Sequence, residues 1–286
     1  MKDFKDTFFY TKKTCSARGK LIDVSTPRVM GILNITPDSF YDGGTNNTQE
    51  TALQKVREML QAGADMIDIG GYSSRPNAED ISITEEIMRV EPVIKAIRNE
   101  FPLVWLSIDT FRSEVARKAI EAGVDIINDI SGGKADPEIF QVAAQAQVPY
   151  CMMHMKGTPQ TMLRETAYED ITLDIIGFFE KQIQLAREKG VKDIILDPGF
   201  GFAKTAVQNF ELLRRMDALK VFNLPILAGV SRKSMIYKTL GVKPQEALNG
   251  TTALHVLALQ KGAGILRVHD VTEAREVITL LKNYSR

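Results

Sequence analysis

Four side chains of complementary hydrogen-bonding character sit at or just beyond the ends of short apolar runs. Asp109 closes VWLSID, Asn128 lies next to last in DIIND, Asp197 closes DIILD, and Lys233 follows PILAG by four residues. A carboxylate suits two parallel N–H donors, an asparagine offers both a donor and an acceptor, and a lysine reaches carbonyl or ring-nitrogen acceptors. Gathered at one place, they could line a pocket for a flat, polar heterocycle. Other polar residues hold similar positions: Asn34, Asp68, Asp129, His154, Arg267 and His269. Taken singly, each would serve as a strand-end group satisfied by a neighbouring loop, and Asp68 and Asp129 are read that way. His255, in the middle of a helical stretch, is read as structural.

The elements that must position these residues recur in one grammar. The stretch Val29 to Gly44, VMGILNITPDSFYDGG, begins as an unbroken apolar run suited to a strand buried on both faces. It turns polar at Asn34 and continues as a long Gly-containing loop. Similar strands are expected at 66–70, 104–109, 125–129, 149–153, 193–197, 225–229 and 264–269. Helices are expected over 49–62, 85–98, 113–122, 137–146, 168–189, 245–261 and 272–281, several stopping at a glycine. Pro92 falls inside the second of these, which predicts a kink or an early start there.

Strands alternating with helices and no break in composition predict a single (β/α)8 TIM barrel over residues 1–286, with its chemistry at the C-terminal strand ends. Residues 1–27 form an N-terminal preamble, read as a hairpin turning at 17–20 and closing the opposite end. Long loops follow strands one and two, over 36–47 and 71–83. A doubly wound open sheet is the alternative; it would place a Gly-rich phosphate turn after the first strand, where Asn34-Ile35-Thr36-Pro37 stands.

Composition narrows the function classes. The 286 residues carry 36 Lys+Arg and 36 Asp+Glu, so no global charge draws the chain to nucleic acid or membrane. Cys15 and Cys151 make neither a disulfide framework nor a metal-ligand spacing, and Cys151 reads as a buried, inert thiol. The charged N-terminus does not resemble a signal peptide, and no apolar run approaches the ~20 residues of a membrane span. A cytoplasmic enzyme or binding protein acting on a small molecule is the expectation.

In order along the chain, VMGILNITPDSFYDGG, GGYSSRP, SIDT, INDISGG, MHMKGTP, ILDPGFGFAKT, AGVSRKSMI and RVHDV resemble the motifs of the dihydropteroate synthase family of pterin-binding barrels. They span 29–271, nearly the whole chain. The resemblance implies a transferase of folate biosynthesis and a sulfonamide target. Its reaction would condense p-aminobenzoate with 6-hydroxymethyl-7,8-dihydropterin diphosphate and release pyrophosphate. By motif, Asp109, Asn128, Asp197 and Lys233 would bind the pterin, with Met153 and Phe202 as apolar walls. Ser74, Arg75, Pro76 and Ser231 would meet p-aminobenzoate. Arg75, Arg267 and His269 would hold the diphosphate together with Mg²⁺ on Asn34, the proposed metal ligand. Asp109, Lys233, Arg267 and His269 form the catalytic set implied. Asp42, in the first loop, could pair with Arg75 of the second when both cover the site. Tyr72 and Ser74 depart from the family, in which an acidic residue and a threonine are commoner.

The resemblance also implies a homodimer, and a mechanism in which diphosphate departs to leave a pterin cation that the aryl amine attacks. Two rivals stand beside it. A methyltetrahydrofolate-dependent methyltransferase domain would share the heterocycle pocket but need no diphosphate site. A non-catalytic pterin-binding protein would bind without turnover.

Overall fold

The structure is a computed structural model and describes residues 12–35, 44–73 and 80–284. It opens with a hairpin, β1 (Thr14–Ala17) and β2 (Lys20–Asp23), paired antiparallel. Arg18 and Gly19 both have positive φ, 51° and 75°, as a two-residue turn matching the strand twist requires. The expected hairpin is therefore present. It closes the N-terminal end of the barrel. Asp193, just before an inner strand, accepts hydrogen bonds from Ser16 N (2.8 Å) and Ser16 Oγ (3.2 Å) and pairs with Lys12. Cys15, Ala17 and Ile22 are buried in the core beneath it.

The inner sheet has eight parallel strands: β3 (Arg28–Asn34), β4 (Met66–Gly70), β5 (Trp105–Asp109), β6 (Ile126–Asp129), β7 (Tyr150–Met153), β8 (Ile194–Asp197), β9 (Leu227–Ala228) and β10 (Ile265–Val268). Their order is β8-β7-β6-β5-β4-β3-β10-β9, and a parallel bridge between Leu196 and Ile226 joins the two ends into a barrel. Every residue of β4, β6, β7 and β8 is buried, as expected for parallel strands covered on both faces. Strand β9 is shorter than the five residues expected. Pro225 has no N–H to donate to a ladder, and the closure runs instead through its carbonyl, which accepts from Leu196 N at 2.9 Å.

Helices α1 (Gly44–Gln61), α2 (Ile83–Glu100), α3 (Ser113–Ala122), α4 (Glu138–Ala146), α5 (Ile171–Glu188), α6 (Ala206–Arg214), α7 (Ser234–Leu240), α8 (Leu248–Gln260) and α9 (Val271–Tyr284) cross between the strands. None of the described helices is long and apolar enough to cross a membrane. Helix α2 runs unbroken through Pro92 and begins two residues before the expected start. Its cap explains the start: Ser82 accepts from Glu85 N at 3.1 Å, and Glu85 and Glu86 lie in the positive first turn. Helices α6 and α7 were not among the expected helices. Val207 and Phe210 of α6 face solvent, blurring its apolar period, and α7 is too short to display one.

Candidate active site

Register brings the polar strand ends together. Asn34 pairs with Gly70, Gly70 with Asp109, and Asp109 with Asn128, so three site residues and a glycine form one row across β3 to β6. Met153 of β7 pairs with Asp197 of β8. Gly70 leaves room between its neighbours: a Cβ there would sit 3.5 Å from Asn34 Oδ1 and 3.9 Å from Asp109 Oδ2.

At the centre is Asp68, expected only as a strand-end group satisfied by its own loop. Asp68, inside β4 and fully buried, accepts from Arg267 Nε at 2.6 Å and from Asn128 Nδ2 at 2.9 Å through the same oxygen. Its other oxygen is buried without a partner among the described residues. Arg267 reaches on to Asp109, donating Nη2 at 2.7 Å. The signal was present in sequence: alternation would turn Asp68 to the opposite face from Ile67 and Ile69, and an isolated buried carboxylate demands a cation. Nothing in sequence said that the cation would be Arg267, 199 residues away. Asp129, read the same way, behaves as expected, accepting from Ser131 N, Gly133 N and Tyr150 Oη to fix its own loop.

The Asp68 contact decides what Asn128 offers. A carboxylate can only accept, so the amide nitrogen faces Asp68 and the carbonyl is left for a ligand. Asn128 thus presents an acceptor, half of the dual role its type allows.

The loop after β8 carries Asp197, Phe200 and Phe202. Gly199 N donates to Asp197 Oδ1 at 2.7 Å. Gly199 has φ +72°, and a Cβ on it would fall 2.0 Å from the His154 carbonyl oxygen, so only glycine fits. Lys233, from the turn before α7, donates to Phe200 O and places Nζ 4.2 Å above the Phe202 ring. Phe202 and Met153 belong to one small apolar cluster with Ile130, Met155, Met162 and Ala203, separate from the barrel core.

Ser231 is tied to His269. Its hydroxyl oxygen accepts from His269 N at 3.2 Å and lies 3.1 Å from His269 Nδ1. A hydroxyl can donate one hydrogen bond and accept two, so the contact fixes the imidazole's orientation with either the hydroxyl or Nδ1–H as its donor. The hydroxyl of Ser231, a residue expected to meet p-aminobenzoate, is thus engaged with the histidine. Ser74, Arg75, Pro76 and Asp42 lie outside the described residues, as does most of the first loop. Tyr72, at the root of the second, accepts from Gln160 Nε2 at 3.0 Å, and its ring meets Phe111 edge-on with Arg112 stacked above.

Charge and burial set the protonation states. Burial pushes the Asp109 carboxyl up to about 7, with Arg267 opposing the rise and Asp68 reinforcing it. Burial likewise raises Asp197, opposed by Lys233. Lys233 is pushed down to about 8 by burial, with Asp197 resisting. Desolvation and the charge of Arg267 lower His269 to about 4, so its ring is neutral at pH 7 in the unliganded site. His255 is buried and lowered to about 4 by desolvation, in keeping with a structural role. Cys15 and Cys151 are both free and buried, and burial raises both thiols, so neither is a nucleophile.

This arrangement can clasp a heterocycle between acceptors and a cation, and an anion beside an arginine and a histidine. The profile of the family described as Pterin binding enzyme matches residues 30–269. A dihydropteroate synthase of Synechocystis sp. is 50% identical over 252 residues, covering 87% of each chain. The Yersinia pestis dihydropteroate synthase, solved as a sulfonamide drug complex, superposes with a TM-score of 0.89 at 43% identity, covering 95% of this chain and 99% of that one. The Xanthomonas albilineans dihydropteroate synthase, solved with 4-aminobenzoic acid, gives a TM-score of 0.89 at 37% identity over 96% and 99%.

Proposed function

This chain belongs to the pterin-binding enzymes and, among them, to the dihydropteroate synthases, and from that premise we infer how its barrel mouth works. It is a transferase of folate biosynthesis, condensing p-aminobenzoate with 6-hydroxymethyl-7,8-dihydropterin diphosphate to give 7,8-dihydropteroate and pyrophosphate. The observation that carries the assignment of roles is the convergence of Asp109, Asn128, Asp197 and Lys233 on one mouth, each turned by its own neighbours.

In our reading, Asp197 accepts from the pterin's ring N–H and amino group, Asn128 accepts through its carbonyl, and Lys233 donates to the ring. Met153 and Phe202 cover its faces. Arg267 spends Nε and Nη2 on Asp68 and Asp109, which leaves Nη1 for the diphosphate, together with the His269 ring. The bond between the pterin methylene and diphosphate oxygen breaks, and the electron pair leaves with the diphosphate. The dihydropterin ring delocalises the cation, an ionised Asp109 stabilises it, and the aryl amine attacks the methylene and then loses a proton. A methyl-transferring barrel would have no use for Arg267 and His269 in this arrangement.

Asn34 is the residue we propose for Mg²⁺. Its amide oxygen is a hard, neutral donor at the barrel mouth, on the same face of the sheet as Asp109 with Gly70 between them, and Mg²⁺ commonly takes one or two protein ligands with the rest from phosphate and water. When bound, the ion would supply charge neutralisation to the leaving diphosphate. We also propose a homodimer, supported by the exposed Val207, Leu240 and Leu257 on α6, α7 and α8, and a cytoplasmic location, in keeping with the two free cysteines. The deciding experiment incubates the purified chain with both substrates and Mg²⁺. Dihydropteroate and pyrophosphate should form in equal amounts; pterin binding without either product would make it a carrier.

The titrating pair predicts the pH profile. Asp109 must be ionised, so kcat/KM for the pterin diphosphate should rise with pH through about 7. Lys233 must be protonated, so the value should fall as pH passes about 8. Asp109→Asn should lower activity and remove the acidic limb. A limb that survives the substitution would belong to another group.

A further inference from the structure

Behind the loop that carries Asp197 and Phe202 lies a lysine that the proposed reaction does not use. Lys204 is buried, in the turn leading into α6. Its Nζ lies 2.9 Å from Gly199 O, 3.0 Å from Phe202 O and 3.4 Å from His154 O, and 3.1 Å from His154 Nδ1. All the oxygens are acceptors, and the neutral imidazole turns a lone pair to it when its proton is on Nε2. Burial and Lys204 together hold His154 far below the usual histidine range, consistent with that neutral ring.

The other polar groups on the back of this loop are also met by side chains. Asn209 accepts from Gly201 N at 2.7 Å, and Tyr168 Oη donates to Ala203 O at 2.9 Å. On the front, Lys233 holds Phe200 O. The loop is thus fastened between two lysines, one facing the pocket and one behind it. His154 directly follows Met153, so Lys204 also ties the end of β7 to the loop after β8. Those are the two segments that bear the proposed apolar walls, Met153 and Phe202.

We propose that Lys204 is a positioning residue for pterin recognition, fixing the separation of Met153 and Phe202 and the direction of the Asp197 carboxylate before substrate arrives. The inference rests on the pterin reading of this pocket. Its chemistry is that of a buried Nζ, held well below the usual lysine range by desolvation, whose N–H donors cross-link carbonyls of two loops: without it, Phe202 O loses its side-chain donor and Gly199 O keeps only Phe202 N at 3.2 Å, so the loop must relax to find others.

Lys204→Met keeps the length of the side chain and removes the donors; Lys204→Gln restores an NH₂ at shorter reach. Titration calorimetry with the pterin diphosphate should give a dissociation constant raised roughly tenfold or more for Lys204→Met, with a smaller rise for Lys204→Gln. The KM for p-aminobenzoate should change less than twofold or so. A lysine that only supports the fold would instead lower the melting temperature and leave pterin affinity per folded molecule alone, which overturns the proposal. Wild-type protein that binds no pterin would overturn the functional reading itself, a separate outcome visible before any variant is compared. Should both variants fail to fold, hydrogen exchange on the wild-type protein decides. The amides of Gly199, Gly201 and Phe202 should exchange slowly without ligand; fast exchange that slows only on pterin binding would refute a preset loop.

Discussion

Asp197→Asn is expected to weaken binding of the pterin diphosphate roughly tenfold to a hundredfold, while p-aminobenzoate binding changes little. The direction follows from one backbone bond. Gly199 N donates to Asp197 Oδ1, and an amide at this position can satisfy that N–H only by turning its oxygen to it. Its NH₂ then replaces Oδ2, the oxygen toward Gly229, and faces the donors of the heterocycle. The mismatch is buried and costs about 1–3 kcal/mol. The residue is only 6% exposed, so water is poorly placed to relieve it. Calorimetry with the pterin diphosphate measures the effect directly, and unchanged affinity would remove Asp197 from the site.

The second large effect is expected at Asp68. Asp68→Asn keeps the volume but removes the charge that Arg267 and Asn128 share. Breaking a buried pair from one side costs about 3–5 kcal/mol when the other charge is left alone. Arg267 keeps Asp109, so the loss should fall at the lower end and appear as a reduced melting temperature. A second signature separates the site from the scaffold. Asp68 is one of the charges that raise Asp109, and its removal frees Arg267 to pair with Asp109 alone. The folded-state pKa of Asp109 should therefore fall, and the acidic limb of kcat/KM should move below its wild-type position near 7. The amide of Asn128, no longer held by an obligate acceptor, could also rotate, which would reduce pterin affinity further. A variant with wild-type stability and an unmoved limb would show that Asp68 is not the hub of the site.

The candidate site divides along physical lines between what could be read in the chain and what could not. Asp109, Asn128, Asp197 and Lys233 were legible because each ends or follows a continuous apolar run, and parallel strands in a barrel deliver their C-terminal ends to one face. Asp68 was not, because it lies inside its run and its meaning depends on a partner at the far end of the chain. Lys204 was hidden more thoroughly. A lysine between Ala203 and Thr205 reads as a solvated loop charge, and only the fold surrounds it with carbonyls. Ser231 could be assigned to a substrate by motif, but its hydrogen bond to His269 exists only once β10 lies beside the loop after β9.

The sequence by itself determined the alternation of buried strands with helices and the hairpin turn at Arg18-Gly19. It also determined which side chains stand at the strand ends. These follow from local chemistry: apolar runs, caps and the few residues that tolerate positive φ. Even the errors were local. Helix α2 began at its Ser82 cap, and β9 shrank where Pro225 could not donate. Tertiary structure alone decided the pairings that give those side chains their direction and charge. Asp68 sets the face of Asn128, Arg267 couples Asp68 to Asp109, and Ser231 orients the His269 ring. Each joins residues far apart in the chain, and in a buried site the energy of a polar group is set by its partner, which no local pattern names.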